Sequence, residues 1–194
     1  LYTWVEREPG DVQVIAVSGG AARTLAPSPM SESSLRWLDR DRVVFQRISQ
    51  DTTTREIIAA SATTGTSTVL VRETDPKWWS IPPRAEAGPA PSPDGRSVAF
   101  LSDRDGWDHV YVVPAAGGAP VQLTRGAFEA WRPVWSPDSS RIAFDANLEG
   151  QPGRRHVGLV AVGGGSPSAM TLVTDGRGTN TAAVWSPDGR RVLY

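Results

Sequence analysis

The sequence predicts an all-β fold, a β-propeller segment of about four blades, each blade a four-stranded antiparallel sheet. Two observations predict it. The first is a phrase said four times. Trp185-Ser186-Pro187-Asp188-Gly189-Arg190-Arg191-Val192-Leu193-Tyr194 restates Trp135-Ser136-Pro137-Asp138-Ser139-Ser140-Arg141-Ile142-Ala143-Phe144 and Pro91-Ser92-Pro93-Asp94-Gly95-Arg96-Ser97-Val98-Ala99-Phe100. Trp37-Leu38-Asp39-Arg40-Asp41-Arg42-Val43-Val44-Phe45 is a degenerate fourth copy. The anchors at 37, 91, 135 and 185 stand 54, 44 and 50 residues apart, the period of a blade. The second observation is composition: 19 Gly and 16 Pro in 194 residues favour short strands and tight turns over long helices.

Each element follows from local chemistry. The tryptophan, or Pro91, closes the innermost strand. Ser-Pro-Asp-Gly then makes the turn, because Pro presets φ, Asp bonds its own backbone and Gly accepts positive φ. The apolar triplets Val43-Val44-Phe45, Val98-Ala99-Phe100, Ile142-Ala143-Phe144 and Val192-Leu193-Tyr194 are too continuous for a one-sided sheet. They fit second strands buried on both faces between stacked blades. Third strands are expected over 12–17, 55–60, 109–113 and 157–162. Short outer strands are expected over 23–26, 68–71, 121–124 and 171–174, with Pro120 suiting a sheet edge.

The boundaries are a partial blade over residues 1–33, blades over 34–75, 88–126 and 132–175, and the start of another over 181–194. Leu1-Tyr2 aligns with Ala99-Phe100, so this register begins and ends in a second strand, as a piece of a larger propeller does.

Composition excludes some chemistry. Zero cysteines remove disulfides and thiolate ligands. A net charge of −1 gives no electrostatic reason to expect nucleic acid, and no apolar run approaches a membrane span. Asp103, Asp105 and Asp108 crowd one loop but lack the distal glutamate of a calcium loop, so a solvated hairpin loop is expected. His109 and His156 lack a third ligand and are read as structural. No metal and no cofactor are expected.

Leu123-Thr124-Arg125-Gly126, Asp103-Arg104-Asp105-Gly106-Trp107-Asp108-His109-Val110-Tyr111 and Glu73-Thr74-Asp75-Pro76-Lys77-Trp78 resemble the N-terminal propeller of dipeptidyl peptidase IV-like serine peptidases, of the prolyl oligopeptidase family. Gly150-Gln151-Pro152-Gly153-Arg154-Arg155-His156 resembles a loop of those propellers. The Trp-Ser-Pro-Asp-Gly unit is shared with TolB-type propellers, which leaves a protein–protein scaffold as the alternative. The resemblance implies a non-catalytic domain that gates and orients peptide substrates for an α/β-hydrolase domain of the same parent chain. No Gly-x-Ser-x-Gly nucleophile elbow occurs in the sequence, and neither does the Glu-Glu pair of dipeptidyl peptidases. Catalytic residues are therefore expected elsewhere, and exo- versus endopeptidase action stays open, as do compartment and homo-oligomerisation.

Trp37, Asp94, Trp135, Asp138, Trp185 and Asp188 are expected as structural anchors, with the tryptophans packed between blades. Trp78, Trp79 and Arg84, in the Pro-rich link between blades, are candidates to face substrate, as are Trp131 and Arg132 in the next link. Links of this kind gather where ligand-contacting loops lie, and an arginine there can hold a peptide carbonyl or carboxylate.

Overall fold

The computed structural model describes residues 12–16, 18–26, 31–49, 51–76, 88–163, 170–175 and 177–194. The described residues form antiparallel sheets throughout, as a propeller segment of four-stranded blades requires, in two compact units, Leu1–Ile81 and Pro82–Tyr194.

The first unit holds a two-stranded sheet, β1 (Val12–Val14) and β2 (Arg23–Ala26), and one complete blade. The blade runs β3 (Ser31–Trp37), β4 (Arg42–Ile48), β5 (Thr54–Ser61) and β6 (Ser67–Thr74), in spatial order. Val12, Leu25, Val43, Phe45, Ile58 and Ala60 pack into one core. Two buried glutamates beside it carry ion pairs. Arg55 bonds Glu73, with their side chains 2% and 8% exposed. Glu56 takes Arg47 at 2.6 Å on one carboxylate oxygen and Arg72 at 2.6 Å on the other. Burial pushes the Glu56 carboxyl up, but the two arginines outweigh it and hold the group below its ordinary value.

The second unit holds two complete blades and a hairpin. The first blade is β7 (Ala90–Pro91), β8 (Ser97–Ser102), β9 (His109–Pro114) and β10 (Val121–Gln122). The second is β11 (Ala130–Trp135), β12 (Arg141–Leu148), β13 (Gln151–Ala161) and β14 (Thr171–Leu172), followed by β15 (Val184–Trp185) and β16 (Val192–Leu193). The core between these blades includes Leu101, Val110, Leu123, Trp135, Ile142 and Phe144.

The repeated turn is built as its residues dictate. Ser92 Oγ donates to Asp94 Oδ1 at 2.6 Å, the Arg96 N–H donates to the same oxygen at 3.1 Å, and Gly95 takes φ 68°. Asp138 and Asp188 repeat it with Ser136 and Ser186. Ser139 takes the left-handed position at φ 60° where the other copies have glycine. The degenerate copy closes its turn with Asp39, which accepts the Asp41 and Arg42 N–H groups at 2.9 and 2.7 Å.

Several strand lengths differ from expectation: β1 stops at Val14 and β14 at Leu172, while β6 runs from Ser67 to Thr74. β10 stops at Gln122 because Thr124 Oγ1, rather than a backbone carbonyl, accepts the Val110 N–H at 2.9 Å. β13 begins six residues before Val157, at Gln151, because it continues a hairpin in which Gln151 pairs with Leu148.

Candidate functional site

In an antiparallel blade, the first and third strands begin at the end where the second and fourth finish. In the second unit this topology brings one set of segments to a shared end. They are the 103–108 loop, the 125–129 link, the start of β11, the 149–150 turn and the approach to β15. The candidate site is the start of β11.

Trp131 and Arg132 stand there on an irregular strand. The register of β11 against β12 shifts between Trp131 and Val134, and Arg132 sits at φ 52°. A bulge of this kind re-aims the side chain it carries and is costly for a residue other than glycine. Ser34, at φ 60°, and Ala182, at φ 63°, each lie three residues before a blade tryptophan, as Arg132 does. The bulge is thus a repeated feature of innermost strands, and at 132 it presents a guanidinium.

Arg132 Nε lies 3.9 Å from Asp145 Oδ2 on β12. The Asp145 carboxylate is buried and accepts the Ala182 N–H at 3.1 and 3.3 Å. One carboxylate therefore faces the Arg132 bulge and bonds the next. Arg155 lies over the Trp131 ring, 3.6 Å from guanidinium carbon to centroid, and its Nη1 donates to the Pro152 carbonyl at 3.2 Å. Its own carbonyl accepts the Asn180 N–H at 2.9 Å. Trp131 is thereby fixed as an aromatic wall with a cation on its face.

The neighbouring polar groups are used for positioning. Glu129 accepts the Asp108 N–H at 2.6 Å, while its own N–H donates to Asn147 Oδ1 at 2.6 Å, tying the loop to the link. His109 bonds Thr124 Oγ1 and the Gly126 carbonyl, each at 3.1 Å, with Phe128 edge-on. Burial holds its pKa below the ordinary histidine value, although Asp105 pulls the other way, so the ring is neutral at pH 7. His156 repeats the contact with Thr174 at 3.5 Å. In the 103–108 loop, Asp105 accepts from Gln122 at 2.5 Å and the Arg104 guanidinium lies over Tyr111 at 4.5 Å. Trp107 in this loop is 40% exposed. Among the described residues, no three His, Asp or Glu side chains converge as a metal site would require.

Of the candidates from sequence, Trp131 and Arg132 stand together at this end. Trp78, Trp79 and Arg84 lie outside the described residues. Trp135 is buried and Trp185 half-buried, but Trp37 departs from the expected core position and is 59% exposed. Among the described residues, the strands beside it are β1 and β2. Sequence reasoning missed Asp145 and Arg155. Aligning the repeats exposes the first, because Asp145 occupies the strand position of Leu101 and Gln46.

The family model for the dipeptidyl peptidase IV (DPP IV) N-terminal region matches residues 12–194. The chain belongs to this family. Among its relatives is the uncharacterized peptidase YuxL of Bacillus subtilis, 36% identical over 78 residues, covering 40% of this chain and 10% of YuxL. Two solved structures share the fold of the DPP IV N-terminal region described above. The putative dipeptidyl aminopeptidase IV of Bacteroides ovatus superposes with a TM-score of 0.70 at 18% identity, over 94% of this chain and 28% of that one. A putative TolB of Agrobacterium tumefaciens gives 0.60 at 24% identity, over 95% and 65%. The first curated relatives are longer than the match, which spans 38% and 10% of their lengths.

Proposed function

We propose that this chain is the non-catalytic propeller domain of a prolyl oligopeptidase-type serine peptidase, gating and orienting peptides for a separate α/β-hydrolase domain. The observation that carries this reading is the family match over 12–194 in a sequence with no nucleophile elbow. Peptidase activity then requires a serine on another domain, and this one contributes steric exclusion and orientation. Trp131 and Arg132 contact the peptide, Trp131 as a flat apolar wall and Arg132 as a donor to carbonyl or carboxylate oxygen. Trp78, Trp79 and Arg84 are proposed to contact peptide as well. The second reading, a TolB-like scaffold for protein–protein interaction, is favoured by the likeness to the Agrobacterium tumefaciens structure.

One experiment on the native parent protein separates them. A fluorophosphonate probe should label a single serine outside these 194 residues, and Arg132→Ala should raise KM about tenfold, with kcat little changed. Labelling with an unchanged KM removes Arg132 from the site but keeps the gate. Absence of a labelled serine leaves the scaffold.

A further inference from the structure

Gating makes no use of His109, which is 1% exposed at the start of β9. Its ring nitrogens have different duties. The Gly126 carbonyl can only accept, so Nε2, 3.1 Å away, carries a hydrogen and donates it. The neutral ring then accepts at Nδ1, from the Thr124 hydroxyl at 3.1 Å, while Thr124 Oγ1 takes the Val110 N–H at 2.9 Å. This network assigns the tautomer and leaves both ring nitrogens satisfied. Phe128 packs edge-on against the ring, 4.9 Å between centroids.

His109 thereby holds the beginning of the link whose end is the start of β11. At that end Glu129 bonds Asp108 and Asn147, and the Ala130 N–H donates to the Asp108 carbonyl at 2.7 Å. Trp131 and Arg132, the latter at φ 52°, follow directly. A second ring proton, on Nδ1, leaves the buried Thr124 hydroxyl without its acceptor and places a cation in the core. Asp105 Oδ2 on the loop lies 3.9 Å from Nε2, and Glu129 and Arg125 on the link also act on the charge of the ring. β8 faces it with the neutral Ser102. Burial outweighs the pull of Asp105 and Glu129, so the folded ring holds a proton less readily than a free one.

We propose that His109 is a pH-sensitive latch on the candidate site: its protonation in mildly acidic solution releases the 125–129 link and frees the start of β11, with Trp131 and Arg132. A ring that binds its proton less readily closed than open favours the open form as pH falls below the ordinary histidine value of 6.5. Opening then rises by up to about tenfold per pH unit, until the closed form is protonated as well. The consequence for peptide binding rests on the reading of Trp131 and Arg132 given above. The latch itself does not.

Hydrogen exchange of the native parent protein, followed on fragments spanning 124–132 and normalised against the unfolded chain at each pH, tests this. From about pH 7 to about pH 5, the Ala130 amide and its neighbours should lose about tenfold in protection. Residues 54–61 serve as the control, because the Glu56 carboxyl keeps its charge across that window. His109→Gln retains an N–H for the Gly126 carbonyl but takes up no proton, so its profile should be flat. Asp105→Asn, at an exposed side chain, removes the negative charge that favours the imidazolium and should deepen the acid loss. Measured as a ratio to His109→Gln, the wild-type KM for peptide should rise over the same window. Protection that falls while this ratio stays constant keeps the latch and removes Trp131 and Arg132 from the peptide. Wild-type protection independent of pH would overturn the latch. So would an equal acid loss in His109→Gln, or none added by Asp105→Asn.

Discussion

In the middle of β13, Gly158 stands opposite Phe144, where the equivalent pairs are Tyr111 with Phe100 and Ile58 with Phe45. A Cβ at 158 would meet Met170 Sδ at 2.5 Å and Phe144 Cζ at 2.9 Å. Met170 is half-buried and flexible, but the Phe144 ring is fully buried and has no room to retreat. Gly158→Ala should therefore destabilise the protein by about 1–3 kcal/mol, the usual range for overpacking. Urea denaturation measures it, and an unchanged midpoint would show that Met170 yields at no cost. Nothing local in the sequence announces this constraint. The glycine lies in a strand, needs no left-handed backbone, and is made necessary by a methionine twelve residues later. Arg132 was legible as a link residue beside a blade tryptophan. Its left-handed bulge was not, because no glycine marks it and it is held within the fold beside a buried carboxylate on another strand.

At the scale of the element, the Ser-Pro-Asp turns were the most legible part of the chain, because the bonds that close each turn span two to five residues. Asp138 shows what the side chain adds. It accepts Ser136 Oγ at 2.6 Å, Ser140 Oγ at 2.8 Å and the Ser140 N–H at 3.1 Å. These bonds, the Ser136 hydroxyl first, lower its pKa from 3.8 to about 2. A carboxyl depressed by folding stabilises the native state above its unfolded pKa and loses that contribution as pH falls through the folded value. The Asp138 contribution should thus be complete above about pH 4 and mostly gone near pH 2. Asp138→Asn should flatten part of the wild-type loss of stability across that window. Asp94 and Asp188, depressed by the equivalent serine and backbone bonds, contribute to the remaining slope, as do Asp39, Asp41, Asp51 and Glu56. Parallel urea midpoints for the two proteins from pH 5 to 2 would contradict this assignment. The buried pairing inside the blades was harder to foresee. His109 with Thr124 and Glu56 with Arg72 occupy the same place in their sheets, one a neutral hydrogen bond and the other an ion pair. Sequence alignment sees unrelated residues there, whereas the sheet requires only that the buried His109 or Glu56 side chain find a partner.

Across the whole molecule, the repeat assigns one role to Trp37, Trp135 and Trp185, but burial divides them. A sequence period identifies which residue meets the neighbouring sheet and does not report how deeply that residue is buried. Trp135 is 7% exposed, donates its indole N–H to Ala90 and packs with Phe144 and Leu123. Trp185 packs with Ala143, Val157 and Ala183, under the Arg141 guanidinium 4.9 Å from its ring. Trp37 is 59% exposed and, among the described residues, lies beside β1 and β2. Truncation to alanine should follow that order. Trp135→Ala should cost about 3–5 kcal/mol, a large part of the ~5–15 kcal/mol that holds a typical domain folded. Trp185→Ala should cost less, and Trp37→Ala, at 59% exposure, under about 1 kcal/mol. Chemical denaturation of the three variants reads the series directly. Equal losses at all three positions would mean that the exposed Trp37 ring contributes as much as the buried Trp135 ring, and that burial does not set the cost of truncation.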